Sequence, residues 1–463
     1  MTVLLISSFQ QLLLSFAPVF TQPSFGNFAA IMAGWVWCHG RHTVTGAIVA
    51  AGACTKHFSC YHRFFSRAQW CLDSVGHVLL VLALRWVADD AAVLLGMDDT
   101  LCRKTGRHVW GAGMHHDPLR STSARPVFAF GHSWVVLSIH IALPFFPNRL
   151  IAIPFMFRLY RKRKKPRPPG RPKGERKSTG EATDREYRTR PQLAAEMLEI
   201  AAGWLTGRRI RVVGDSEYSG KSISRQLPEG VDLFGRMPMD AALYAEPDSP
   251  TGPKNGRPRT KGDRLPNPAQ LARSRAVKWF KTRVEIYGRS VPVWLKWQRA
   301  LWYNSAGRRP VLSVVVRDPS RKRRDDCFFT TDVSATPAEV VETYAKRWPL
   351  EVAFRDIKQE LGLEDPQSRT RRAVERTAPM AMVVYGATVL WYAWCGHALR
   401  ERWFVRSPWY RNKNTVSFAD MLATLRQASW AGRVLTDPAV EAGSCESPQV
   451  LSIHGVSSLS RAS

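Results

Sequence analysis

Negative charge is what this chain has least of. Its 38 Asp and Glu residues stand against 67 Lys and Arg, a formal net charge of +29 over 463 residues. An excess of that size suits a polyanionic partner, nucleic acid first and an anionic membrane second, and says nothing about fold. A disulfide framework is also missing. The eight cysteines show no paired spacing, which fits a reducing cytoplasm. Cys54, His57, Cys60 and His62 cluster, but the spacing matches no common zinc finger and reads as packing. No basic stretch precedes the first apolar run, and Gln10 and Gln11 interrupt it, so no secretory signal is expected. No apolar run is both long and unbroken. Residues 132–160 come nearest, but Pro144, Pro147, Asn148 and Arg149 divide them into two pieces of strand length. No Ser-His or Cys-His pair offers a nucleophile, and no internal repeat is evident.

What is present is a polar stripe on a well-marked helix between Thr336 and Gly362. Thr336 can cap it, Pro337 suits the first turn, and Glu339 three residues on completes a capping box. Gly362 is a stop signal, and Pro349 should kink or restart the helix near Trp348. At 100° per residue, Tyr344, Arg347, Glu351, Arg355 and Lys358 fall within an arc of roughly 80°. One carboxylate thus shares a face with three cations and a phenol. That suits a metal-binding acid flanked by phosphate-binding groups. A surface helix with i,i+4 ion pairs has the same spacing.

Tyr344-x2-Arg347-x3-Glu351-x6-Lys358 resembles the Tyr-Arg-Glu-Lys signature of bacterial insertion-sequence DDE transposases. The resemblance implies an RNase H-like core in which Glu351 is the third catalytic carboxylate. Tyr344, Arg347 and Lys358 would then contact phosphates of the transposon end. It also implies two aspartates upstream, each leaving a hydrophobic strand.

Both have candidates. Ala91–Met97 is a short apolar run with strand character, followed by Asp98-Asp99-Thr100. Two acids at the end of a core strand need a partner or a turn, because desolvating them is costly. Asp-x-Thr resembles the family's first catalytic position and selects Asp98, with Asp99 as the alternative. His115, His116 and Asp117 are expected in a loop nearby. Residues 133–141 and 149–159 supply two more strands. A Pro/Gly/Lys/Arg linker follows, too charged to pack and able to bind phosphate non-specifically. An amphipathic helix over 191–203 then leads into the strand Arg209–Gly214, which ends at Asp215.

The remaining segments complete an α/β fold: an RNase H-like mixed sheet with flanking helices, a mainly β insertion, and an N-terminal helical domain. Residues 1–88 read as helical and DNA-binding, and 89–238 as the first part of the core with the basic linker at 158–186. Residues 239–332 read as the β insertion, 333–400 as the second part of the core, and 401–463 as a helical region with a flexible tail. Segment 58–70 interleaves aromatics with bases, which suits either DNA contact or an amphipathic helix. Trp279, Trp294, Trp297 and Trp302 lie in or beside the inserted strands. Each reads first as core, although the family uses one such ring to stack on a flipped base.

The expected chemistry is metal-dependent cleavage of transposon ends followed by strand transfer into target DNA. Asp98, Asp215 and Glu351 would hold two Mg2+ ions, with Mn2+ able to substitute. Tyr344, Arg347, Arg355 and Lys358 would hold phosphates. The expected partner is double-stranded DNA, both transposon ends and target. A dimer in the synaptic complex, a nucleoid-associated cytoplasmic location and no membrane complete the expectation. The competing reading is an inactive DNA-binding protein derived from a transposase.

Overall fold

The computed structural model describes residues 5–53, 56–106, 108–122, 124–146, 149–163, 183, 185–247, 259–399, 413 and 415–434. Most of the basic linker, Cys54 and most of the C-terminal tail lie outside the described residues.

The chain opens with five helices: α1 (Ser7–Leu14), α2 (Gln22–Trp37), α3 (Val44–Ala50), α4 (Ser59–Ser66) and α5 (Leu72–Leu84). Four strands follow: β1 (Val93–Arg103), β2 (Gly113–His116), β3 (Phe128–Ala142) and β4 (Leu150–Tyr160). Helix α6 (Arg190–Trp204) leads into β5 (Ile210–Gly214), the short α7 (Lys221–Ser224) and β6 (Val231–Arg236). Next come β7 (Leu243–Tyr244), β8 (Arg264–Leu265), α8 (Pro268–Arg273), β9 (Phe280–Ile286), β10 (Arg289–Leu301), α9 (Tyr303–Ala306), β11 (Pro310–Arg317) and β12 (Asp326–Thr330). The chain then turns helical again through α10 (Pro337–Ala345), α11 (Trp348–Leu361), α12 (Arg371–Trp394) and α13 (Phe418–Val434).

All the strands belong to one sheet. β4 pairs antiparallel with β3 and β3 with β1, while β1 pairs parallel with β5 and β5 with β6. β12 then pairs antiparallel with β6, and β11, β10 and β9 follow outward. The inserted strands therefore continue the sheet beyond β6. The middle of β3 is buried on both faces, its His132, Ser133, Ser138 and His140 included, as a central strand covered on either side is. β3 ends at Ala142 and β4 begins at Leu150, so the interruption falls between two paired strands. Among the described residues no helix is long and apolar enough to cross a membrane.

Two expectations about the first strands need correction. β1 does not stop at Met97. It runs through Asp98 and Asp99, paired with Val136 and Val135 of β3, and ends at Arg103. Local reading ended the strand at its charges because nothing nearby in sequence could neutralise them. His115 and His116 lie in β2, paired with Ala129 and Phe128, and not in a loop. Asp117, just beyond, accepts from Arg103 at 2.6 Å.

The N-terminal helices share the core of the sheet. Residues from Phe9 to Ala83 belong to the same buried cluster as β1, β3, β4 and α12. Trp35 Nε1 donates to Leu361 O at 3.0 Å, and His42 N to an oxygen of Asp365 at 2.8 Å. Within segment 58–70 the helix is Ser59–Ser66, with Tyr61, Phe64 and Phe65 buried; Trp70, beyond its end, is buried too and its Nε1 donates to Phe64 O. Of the four tryptophans in the insertion, Trp297 is the exposed one, at 43%. Trp279 lies under Lys296 and Arg317, and Trp302 packs on Phe329.

Candidate active site

The stretch from Thr336 to Gly362 folds as two helices. Thr336 Oγ1 accepts from Glu339 N at 3.2 Å, as a cap should. The reciprocal half of the capping box is absent, because the Glu339 carboxylate bonds Arg211 at 2.5 Å. The helix breaks at Lys346–Arg347 and restarts with Pro349 in its first turn. Gly362 ends it in the left-handed conformation, φ 57°.

This restart brings Arg347 and Glu351 over the middle of β1. Arg347 donates Nη1 to Asp98 Oδ2 at 2.8 Å and Nη2 to Glu351 Oε1 at 2.5 Å. Two acids remote in sequence are thus joined by one guanidinium. The Asp98 side chain is 14% exposed and its other oxygen accepts from Asp99 N at 2.8 Å. Burial pushes the Asp98 carboxyl up to about 8; the Arg347 charge opposes this and the Asp215 and Asp99 charges add to it. Arg347 is held well above its usual range, its burial outweighed by the Asp98 and Glu351 charges.

Asp215 follows β5, whose Gly214 is in parallel register with Met97 of β1. Its Oδ1 accepts from Glu217 N at 2.8 Å, closing a tight turn. Its charge contributes to raising the carboxyls of Asp98, Asp99 and Glu217 and the phenol of Tyr344. The Tyr344 ring packs 4.5 Å from Phe328, and burial raises its phenol.

Two members of the predicted stripe do not meet Asp98. Arg355 folds onto its neighbour Asp356 at 2.8 Å and lines a separate cleft of about 740 Å³ with Trp348, Tyr385 and Phe418. Lys358 Nζ donates to Leu101 O at 2.8 Å and so docks α11 against β1.

A second acid–arginine group surrounds Asp99. Successive strand residues face opposite sides, and Asp99 meets Ser133 Oγ at 3.1 Å, Tyr218 OH at 3.2 Å and Arg190 Nε at 3.3 Å. Arg190 also pairs with Glu217 at 3.4 Å. Burial raises the Asp99 carboxyl, opposed by Arg190 and the two hydroxyl donors. Sequence reasoning missed Arg190, Glu217, Tyr218 and Ser133. The one available signal was Arg190 at a helix start beside Pro191, in a chain already rich in arginine.

The candidate ligand set consists only of carboxylate oxygens, a chemistry suited to magnesium. As the side chains stand, no group of three or more Asp, Glu, His or Cys residues among those described converges to hold an ion. Arg347 provides the positive charge between Asp98 and Glu351.

The sequence and fold can be set beside known proteins. No curated protein matches the chain. A cryo-EM structure of the piggyBac transposase synaptic complex with hairpin DNA is similar over 91% of this chain and 75% of that one. The identity is 10% and the TM-score 0.38, too loose a likeness to carry an argument. A family model for archaeal ISC1217-like transposases matches residues 303–393, which include Glu351. A second model, described as DDE superfamily endonuclease, matches residues 15–308, more than half of the chain and including both Asp98 and Asp215. On that match the chain belongs to the DDE superfamily endonuclease family.

Proposed function

We propose that the protein is a DNA transposase that cleaves transposon ends and transfers the cut strand into target DNA, with Asp98, Asp215 and Glu351 as its catalytic carboxylates. The observation carrying this reading is the Arg347 bridge, which joins the first and third acids across the fold. Asp98 is preferred to Asp99 because its side-chain oxygens have one side-chain donor and one backbone donor. Asp99 is already engaged by three side chains.

In this reading the three carboxylates would hold divalent metal, Mg2+ or Mn2+, which would activate a water or 3′-hydroxyl and stabilise the leaving oxygen. Arg347 must exchange at least one carboxylate for a phosphate oxygen, a geometry its planar fork suits. Tyr344 lines the same side, and Lys358 secures α11 against β1. The wider Tyr-Arg-Glu-Lys assignment, the β insertion at 239–332, the helical DNA-binding role of 1–88 and a synaptic dimer belong to the same proposal. The excess of positive charge supports double-stranded DNA as the partner.

The test is cleavage of DNA carrying the element's ends by purified protein with magnesium. Asp215→Ala and Glu351→Ala should each abolish it; either variant cutting at the wild-type rate rules out this site. A second reading, a DNA-binding protein without activity, draws on the Arg347 bridge and the lack of a converged ligand group among the described residues. Salt-sensitive DNA binding with no magnesium-dependent nicking would favour it.

A further inference from the structure

The break between α10 and α11 leaves a carbonyl in need of a partner. Pro349 has no N–H to offer the preceding turn, and Leu350 N turns to Arg347 O at 3.2 Å. The Lys346 carbonyl instead meets His140 Nδ1 of β3 at 2.8 Å. His140 is 3% exposed. Its other nitrogen, Nε2, lies 2.9 Å from Ser138 Oγ, which is also 3.0 Å from Gly96 O. Gly96 sits on β1 two residues before Asp98, and the imidazole occupies the space above it: a Cβ there would come 2.3 Å from Nε2. One buried ring is therefore wedged between the strand that carries Asp98 and the helix break that carries Arg347.

We propose that His140 is a positioning residue for the reaction. It fixes the α10–α11 break over β1 and so sets where Arg347 and Glu351 stand relative to Asp98. The inference rests on the transposase reading above. The chemistry assigns the ring's form. Burial lowers the pKa of His140 to about 4, so the ring is neutral near pH 7 and carries one proton. A carbonyl can only accept, so that proton is on Nδ1. Nε2 can then only accept, so the single proton of the Ser138 hydroxyl goes to Nε2 and not to the Gly96 carbonyl 3.0 Å away. Ser138 is paired with Gly96 in the β1–β3 ladder, and that pairing, with the ring packed over Gly96, couples His140 to β1.

Four variants test this in the full chain, with kcat and KM measured for end-carrying DNA. His140→Asn keeps an N–H where Nδ1 was, and His140→Leu removes it. If His140 positions the break, His140→Leu lowers kcat by roughly 10²-fold, the cost of about an ångström of misplacement, at nearly unchanged KM. His140→Asn should then recover most of that loss. Gly96→Ala should lose activity through collision with the ring, and Gly96→Ala combined with His140→Asn should regain part of it. Wild-type kcat in His140→Leu, or equal losses in His140→Asn and His140→Leu, overturns the proposal. A separate measurement covers variants that fail to fold: nitrogen NMR of histidine-labelled wild-type protein at pH 7 should show His140 protonated at Nδ1 only, and protonation at Nε2 alone overturns the proposal. Glu351→Ala cutting like the wild type would instead sink the transposase reading, and the positioning role with it, so the two failures are distinguishable.

Discussion

The two faces of β1 carry the same kinds of group arranged to different ends. On one face Asp98 and Glu351 share Arg347, and on the other Asp99 and Glu217 share Arg190. The difference lies in the remaining donors. Asp99 also receives hydroxyls from Ser133 and Tyr218, so its negative charge is met from three elements. Among the described residues, Asp98 has beyond Arg347 only the next backbone N–H. A carboxylate held by several side-chain donors is locked in place, whereas one held mainly by a single arginine can change partners when a metal or a phosphate arrives. One strand thus presents adjacent acids, one held by several side-chain donors and one held mainly by a single arginine.

Breaking the comparison starts with the Asp98 side. Asp98→Asn should lower DNA cleavage by roughly 10³-fold or more while leaving the protein folded by circular dichroism. Asp99→Asn should behave oppositely. Leaving Arg190 without its buried partner should cost roughly 3 kcal/mol of stability in denaturant unfolding, with cleavage falling only as the folded fraction falls. If Asp99→Asn abolished cleavage at unchanged stability, the two roles would be exchanged. Arg347→Lys should lower cleavage about tenfold in a single-turnover assay, because an ammonium cannot span both carboxylates with a planar fork. The smallest effect is expected from Tyr218→Phe. Losing one hydroxyl donor to Asp99 should cost about 1 kcal/mol in thermal unfolding and leave the cleavage rate almost unchanged.

Much of the fold was legible because its cues are local. Thr336, Pro337, Pro349 and Gly362 mark helix ends through backbone chemistry that operates wherever the helix lies. Apolar runs marked β3 to β6 and β9 to β12 for the same reason. The course of β1 was not legible, since Asp98 and Asp99 look like a strand end until Arg347 and Arg190 arrive from distant segments. The stripe on the Glu351 helix was only partly informative. An angular projection gives a side chain's bearing from the axis but not its partner, and Arg355 and Lys358 each found one elsewhere. The join between β12 and β6 depends on long-range pairing with no local signature. His140 carried no sign at all in the sequence, one histidine in a buried strand whose use depends on a carbonyl freed at a helix break more than two hundred positions away.

Because α1 to α5 contribute to the same buried cluster as the sheet, they cannot be treated as a detachable reading head. A polypeptide started just before Val93 would uncover the side of β4 on which α5 packs and leave the Leu361 carbonyl without the Trp35 indole. Binding and cutting are then best separated by point substitution on an intact chain, since pruning the first five helices would remove part of the foundation on which the Glu351 helix rests.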